Sequence, residues 1–414
     1  MSIHEFDYVI VGGGLAGSAA VDGIREMDED GTIALLTEEE TPPYHRPPLS
    51  KEYMQTTEAP RDLLYVKPSG WFEDQAGIEL VTGARVERLD PTRLVVATED
   101  GEVYSGRRIL VSTGGRARAL PVEGFGLPGT YTLRTAEDAE AIREAATGAH
   151  RVALVGAGFI GMELAATLRK LDLDPIVVDL EERVWGSVFP APVSSFLQHY
   201  FEGRGVRFLL GSAVAAFDGA KRVERVVLAD GDELVADLVV VGVGLQPNDQ
   251  IAREGGLAVT DGVVVDSYCE TTAGHIYSAG DVTCYPDPVF GDLVRTEHWD
   301  HARAQGRIAG RNMAGAREPY EHVPYFFTHV FDLSINVFGR TGGADRTIVS
   351  GELGSGRSVV YCVTEGRLSG AVLINANDAM DECRELIRER PTMDELLDRL
   401  GPEGSAEMVN TGAG

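Results

Sequence analysis

Two stretches of the chain repeat one pattern of apolar and polar positions. In YVIVGGGLAG (8–17) an apolar, β-branched run ends in glycines and passes into a helical stretch. RVALVGAGFIG (151–161) does the same, and the helix-forming run MELAATLRKL follows it. Each continues into another short apolar strand, IALL at 33–36 and IVVD at 176–179. Apolar runs of this length bounded by glycine predict buried strands, and the change to a 3.6-residue period predicts helix. A βαβ unit therefore occurs twice, the second copy 144 residues after the first, from Gly12 to Gly156.

Other elements follow from the same signals. RRILVSTGG (107–115), ADLVVVGVGLQPN (236–248) and HIYSAGD (275–281) read as strands running into glycine turns, as where a sheet strand stops beside a ligand. Between 83 and 110 and between 214 and 235, alternating polar and apolar residues with D-G or E-D-G turns predict antiparallel hairpins. From about residue 325 the period becomes 2, in SINVFGRT, RTIVSGEL, SVVYCVTE and RLSGAVLI. Two amphipathic helices are expected after them, at roughly 378–390 and 392–400, and the Gly-rich last dozen residues are expected to be disordered.

Composition narrows what such a chain does. Hydrophobic residues make up 43% and charged residues 25%, a globular balance, and 414 residues allow two or three domains. No apolar run reaches the ~18 residues of a membrane span. The start, MSIHEFDYVIVGGG, has neither a basic n-region nor a cleavage site, so a soluble, cytoplasmic protein without membrane contact is expected. A net charge of −28 argues against a nucleic-acid partner, and its plain reading is solubility or a salty cytoplasm. Cys269, Cys284, Cys362 and Cys383 are spaced by 15, 78 and 21 residues, which makes no C-x-x-C, zinc pattern or disulfide framework. They are expected as small buried hydrophobes, and no metal site is expected.

The two glycine loops carry the first chemistry. Gly12 and Gly156 permit the tight strand-to-helix turn, Gly14 and Gly158 let a pyrophosphate approach the backbone, and Gly17 and Gly161 let helix and strand pack closely. The positive helix N-terminus then faces the phosphates. Each second strand should end in an acid that bonds an adenosine ribose: Glu38 after IALLT, and Asp179 after IVV. A carboxylate at Asp179, with Leu180, Glu181 and Glu182 beside it and Arg183 the nearest cation, favours NADH over NADPH, because it accepts ribose hydroxyls and repels a 2′-phosphate.

With these motifs in this order the chain resembles the two-dinucleotide flavoprotein reductases of the glutathione-reductase superfamily. Within it, the match is to the branch with oxygenase-coupled ferredoxin reductases, apoptosis-inducing factor and monodehydroascorbate reductase. The resemblance runs to about residue 400. It rests on the first glycine loop, PPYHRPPLSKEY (42–53), ILVSTGG (109–115), GAGFIGMELA (156–165), GVGLQPN (242–248), HIYSAGD (275–281) and EHWDHARAQGRIAGRNMAG (297–315). It implies an α/β chain of two Rossmann-like dinucleotide-binding domains of the glutathione-reductase type plus a C-terminal α/β domain. The FAD domain would comprise 1–115 and 247–324, the NAD domain 116–246, and 325–414 would serve dimer contacts or partner docking. The cofactors implied are FAD and NAD(H). Asp281 would bond the FAD ribityl or phosphate region, Thr113 and Gly114 would line the adenosine side, and Arg46 would neutralise the flavin pyrophosphate. Trp299 would stand near the flavin's pyrimidine edge, with surface or core roles the bland alternatives for Arg46 and Trp299; Ile160 and Gly244 lie in matching cofactor loops.

The superfamily's disulfide reductases carry C-x-x-x-x-C after the first βαβ unit, whereas this chain has YHRPPLSKEYM there and no cysteine in 116–246. A dithiol route is excluded. The resemblance instead pairs Lys51 with Glu163 beside flavin N5, where a fixed ammonium favours the anionic reduced flavin. Phe159 would cover the nicotinamide pocket until the cofactor enters. Electrons would pass singly to a [2Fe–2S] ferredoxin of an oxygenase or P450 chain. Arg303, Arg307 and Arg311, four residues apart, form either its docking stripe or a solvated helix face. Two alternatives stay open: a monodehydroascorbate- or quinone-type reductase, toward which EHWDHAR and YFFTHVFDLSINVFG lean, and an NADH-sensing flavoprotein like apoptosis-inducing factor. Monomer and homodimer are both compatible with the chain.

Overall fold

Val9, Ile10, Ala34, Leu35, Ile109 and Leu110 have no exposed surface, and their side chains alternate between the two faces of one sheet. That is why these runs are apolar at every position: a parallel sheet covered on both faces buries them all. The computed structural model describes residues 3–56, 60–404 and 407–410. The chain divides into two compact units.

The first unit comprises Met1–His45, Pro60–Arg116 and Leu245–Pro324. Its sheet runs Ile78–Val81, Ile33–Leu36, Ile3–Val11, Val103–Val111 with parallel neighbours, and Ile276–Ser278 adds in parallel beside Val103–Val111. The strand order reverses direction around Ile3–Val11, and ligands of open α/β sheets bind at such a switch point, beyond the strands' carboxyl ends. Val86–Asp90 and Val95–Thr98 extend the sheet as the expected antiparallel hairpin. The helix Leu15–Arg25 packs against the helix Trp299–Met313 at backbone distance. A Cβ on Gly306 would lie 2.2 Å from the Ala16 carbonyl, and one on Gly310 2.1 Å from that of Ala20.

The second unit comprises Arg46–Ala59, Ala117–Gly244 and Tyr325–Gly414. Its parallel sheet repeats the plan in the order Arg207–Leu209, Asp174–Val178, Arg151–Val155, Leu238–Val241, Thr130–Thr132. The antiparallel set Val214–Asp218, Arg225–Leu228 and Glu233–Val235 lies in the region where hairpins were expected. The period-2 segments form an antiparallel sheet with Tyr325–Val330, Leu333–Gly339, Arg367–Ile374, Ser358–Thr364 and Arg346–Gly351 in spatial order. Helices follow at Met380–Glu389 and Met393–Gly404, the latter broken at Gly401.

The expectation of a disordered tail is corrected in part. Glu407–Asn410 pairs with Arg346–Gly351 as an edge strand, taking up backbone groups that an unpaired edge would leave open. Residues 405–406 and 411–414 lie outside the described residues. All four cysteines are buried and unpaired, and burial pushes the thiols of Cys362 and Cys383 up to about 12, which keeps them unreactive near neutral pH.

Candidate cofactor and electron-entry site

The two glycine loops have nearly the same local geometry. Gly12 has φ +115° and Gly156 φ +112°, a region open to glycine. A Cβ on Gly17 would lie 2.2 Å from the Gly12 carbonyl oxygen, and one on Gly161 1.9 Å from that of Gly156. The middle glycines differ in kind. A Cβ on Gly14 or Gly158 would meet nothing within 4 Å, although each residue starts its helix. Neither helix has a side-chain cap, so the first amides of Leu15–Arg25 and Phe159–Lys170 keep their hydrogen-bonding capacity for something outside the helix. An open side above uncapped helix amides fits a pyrophosphate, once in each unit.

The acids at the second-strand ends are held differently. Asp179 accepts backbone N–H bonds from Ala157, within the second loop, and from Glu181 at 2.7 Å. Its carboxylate is thereby fixed against the glycine turn. Glu38 is exposed and paired with Arg85 at 3.2 Å. Gly244 has φ +101° with nothing within 4 Å of a Cβ, and Ile160 is 36% exposed beside the second loop.

In the first unit, Thr113 donates its hydroxyl to the Asn248 carbonyl at 2.7 Å, and the Asn248 amide returns a bond to the Thr113 carbonyl at 3.0 Å. Gly114 has φ +62°. The Gly280 amide, next to Asp281, donates to Gln305 Oε1 at 2.8 Å, and the Asp281 carbonyl accepts from Arg295 at 3.1 Å. Trp299 Nε1 donates to His45 Nδ1 at 3.0 Å, which requires that nitrogen to be unprotonated. Burial and the nearby Arg303 hold His45 below the ordinary histidine range, so the bond stands at neutral pH.

In the second unit, Arg46 donates to the Arg134 carbonyl at 2.6 Å. Lys51 Nζ lies 2.6 Å from Glu163 Oε1 and 3.3 Å from the Pro47 carbonyl, with side-chain exposures of 11% and 5% for the pair. Sequence and structure thus agree that Lys51 and Glu163 meet across 112 residues of chain. Two partners had no sequence signal, because they are brought in by tertiary packing alone. Ser50 donates its hydroxyl to Glu163 Oε2, and Thr328 donates to Glu163 Oε1 at 2.6 Å. The Phe159 ring sits 3.6 Å from that of Phe326, centroid to centroid, and 5.7 Å from that of Trp185.

The arginine stripe is largely spent internally. Arg307 and Arg311 both pair with Glu26 at 2.7 Å, and Arg311 also with Glu318 at 2.5 Å. Arg303 lies over the Trp299 ring at 5.6 Å and has no carboxylate within 4 Å among the described residues.

Residues 6–306 match the pyridine nucleotide-disulphide oxidoreductase family and residues 325–399 the reductase C-terminal family, and the chain belongs to the first. It is an oxidoreductase of the kind that carries FAD and uses NAD(H). It is 35% identical over 385 residues to rhodocoxin reductase of Rhodococcus erythropolis, covering 92% of this chain and 90% of the relative. Among solved structures it is similar to the ferredoxin reductase for the CYP199A2 system from Rhodopseudomonas palustris, with TM-score 0.89 and 33% identity over 94% of this chain and 96% of that one. It is also similar to a chain of the covalent putidaredoxin reductase–putidaredoxin complex, with TM-score 0.90 and 31% identity over 96% and 97%. No helix among the described residues is long and apolar enough to cross a membrane, and none of their His, Cys, Asp and Glu side chains form a group that could hold a metal.

Proposed function

We propose that this chain takes hydride from NADH and delivers single electrons to a [2Fe–2S] ferredoxin serving an oxygenase or P450. The observation that carries the reading is the duplicated cradle: two uncapped helix N-termini, each behind a glycine with open space where a Cβ would stand. Bound FAD supplies the conversion between a two-electron donor and a one-electron acceptor. The first cradle, with Gly12, Gly14, Gly17, Glu38, Thr113, Gly114 and Asp281, holds FAD. The second, with Gly156, Gly158, Gly161 and Asp179, holds NADH, and the fixed Asp179 carboxylate selects against a 2′-phosphate.

Lys51 is the cation offered to the reducible end of the flavin, and Glu163 holds it there. Burial makes that placement matter, because little water screens the pair. Phe159 covers the nicotinamide position and must turn away from Phe326 for the cofactor to enter. Support for a ferredoxin acceptor comes from the similarity to the ferredoxin reductase for the CYP199A2 system and to ferredoxin--NAD(+) reductase components of dioxygenase systems, and from the absence of a usable dithiol.

The test is anaerobic. Purified yellow protein is mixed with NADH, bleaching of the flavin is followed, and cytochrome c reduction is measured with and without a [2Fe–2S] ferredoxin. Rapid bleaching with ferredoxin-dependent turnover is expected. Slow bleaching with a persistent long-wavelength band, and no response to ferredoxin, would overturn the proposal in favour of an NADH sensor.

A further inference from the structure

A carboxylate with about a twentieth of its side chain exposed needs its lone pairs filled, and among the described residues Glu163 has three donors: Lys51, Ser50 and Thr328. Ser50 adjoins Lys51 in the chain, and its carbonyl accepts from Thr167 at 2.7 Å, one helical turn beyond Glu163. Thr328 comes from elsewhere. It lies fully buried on Tyr325–Val330, the first strand of the antiparallel sheet that follows the dinucleotide folds.

The strand meets the helix at two matched points. Phe326 and Thr328 are two apart on the strand and so share a face; Phe159 and Glu163 are four apart on Phe159–Lys170 and so share a stripe. Two strand residues advance about 6.6 Å and four helical residues about 6 Å, so Phe326 reaches Phe159 while Thr328 reaches Glu163 without strain in either element. The ring contact and the hydroxyl bond keep the same register, and the hydroxyl lands on the carboxylate oxygen that already receives Lys51.

We infer that Thr328 is a positioning residue for electron entry: its hydroxyl locks the Glu163 carboxylate and through it the Lys51 ammonium. The C-terminal module thus completes the electron-entry site. This rests on the reading that Lys51 serves the flavin. Ser50 and Thr328 grip opposite oxygens of the carboxylate, so removing either hydroxyl frees the group to turn about its terminal bond, and the ammonium turns with it.

The experiment uses the FAD-loaded full chain in anaerobic stopped flow, comparing wild type, Thr328→Val, Thr328→Ser and Lys51→Met. Valine keeps the shape and removes the donor; serine keeps the donor. Thr328→Val is expected to lower the limiting rate of flavin reduction roughly tenfold, the scale of one hydrogen bond to a charged group, with FAD content and the NADH concentration for half-maximal rate unchanged. Thr328→Ser should recover most of that rate, a rescue that a purely packing role would not give. A wild-type limiting rate in Thr328→Val, with Lys51→Met slow, would overturn the inference and leave the underlying reading standing. Wild-type rates in both would remove the reading and the inference together. If Thr328→Val does not retain FAD, Thr328→Ala set against Thr328→Ser makes the same comparison, and equal rates in those two overturn the inference.

Discussion

Gly158 and Gly161 belong to one glycine motif, the first capping the helix Phe159–Lys170 and the second inside it, yet the structure predicts opposite consequences for adding a methyl group to each. At Gly158 the backbone has φ −80° and ψ −170°, which alanine adopts freely, and a Cβ would meet nothing within 4 Å. Folding stability should hardly change: alanine is the poorer N-cap by about 1 kcal/mol, and it regains roughly 0.4–1 kcal/mol by stiffening the unfolded chain. At Gly161 the Cβ would lie 1.9 Å from the Gly156 carbonyl oxygen, so backbone must move, at about 3 kcal/mol. If the space above Gly158 is where a pyrophosphate lies, the methyl intrudes there and at least one helix amide loses its anion. That loss amounts to about 1.5–3 kcal/mol, or roughly ten- to a hundredfold in affinity. The assay pairs thermal unfolding of the FAD-loaded protein with the NADH dependence of flavin reduction. Gly158→Ala should unfold within a few degrees of wild type and need ten- to a hundredfold more NADH, both as orders of magnitude. Gly161→Ala should unfold markedly earlier. Unchanged NADH dependence in Gly158→Ala would show that the open space is not a phosphate site.

Three further outcomes follow from particular contacts. Asp179→Asn keeps one of the two side-chain oxygens that accept from the Ala157 and Glu181 N–H groups and loses the charge, so the ratio of kcat/KM for NADPH to that for NADH should rise about tenfold; an unchanged ratio would take Asp179 out of cofactor choice. Burial holds His45 and His301 below the ordinary value of 6.5 and His298 down to about 4, so the unfolded chain takes up protons first as pH falls. Their contribution is complete above pH 6.5 and is lost as pH drops toward 4, and urea midpoints at pH 7.5 and 5.0 should therefore differ, the acid one being lower. Arg303→Glu should cut ferredoxin-dependent turnover roughly tenfold at low salt and much less at high salt, while ferricyanide reduction stays constant; salt-independent loss would point away from charge-guided docking.

Both dinucleotide folds were legible because their information is local. A buried parallel strand must be apolar at every position, and a turn with φ above +100° admits glycine, so YVIVGGG and RVALVGAG announce strand, turn and helix within a dozen residues. The edge strand Glu407–Asn410 was not legible. Its segment, EMVN between Gly-rich stretches, has no period to read, and its place depends on an open edge of Arg346–Gly351 built some sixty residues earlier. The meeting of Lys51 with Glu163 was legible because each sits inside a motif of the family that the chain resembles. Ser50 and Thr328 are ordinary residues until folding sets them against a buried carboxylate. Sequence shows the charged members of such a shell more readily than the neutral ones, since a hydroxyl at a buried position has many structural reasons to be there.

The arginine stripe shows the same asymmetry from the other side. Spacing every four residues does place Arg303, Arg307 and Arg311 on one face of Trp299–Met313. What spacing cannot show is that Gly23, Gly306 and Gly310 let this helix approach Leu15–Arg25 at backbone contact and bring Glu26 within reach of two of the three guanidinium groups. With 65 acids to 37 bases, an exposed arginine in this chain meets a carboxylate by default. A paired arginine therefore says little about partners, and an unpaired one says more. Among the described residues Arg303 is the member of the stripe with no carboxylate in reach; it is exposed and lies over the indole that His45 holds in place.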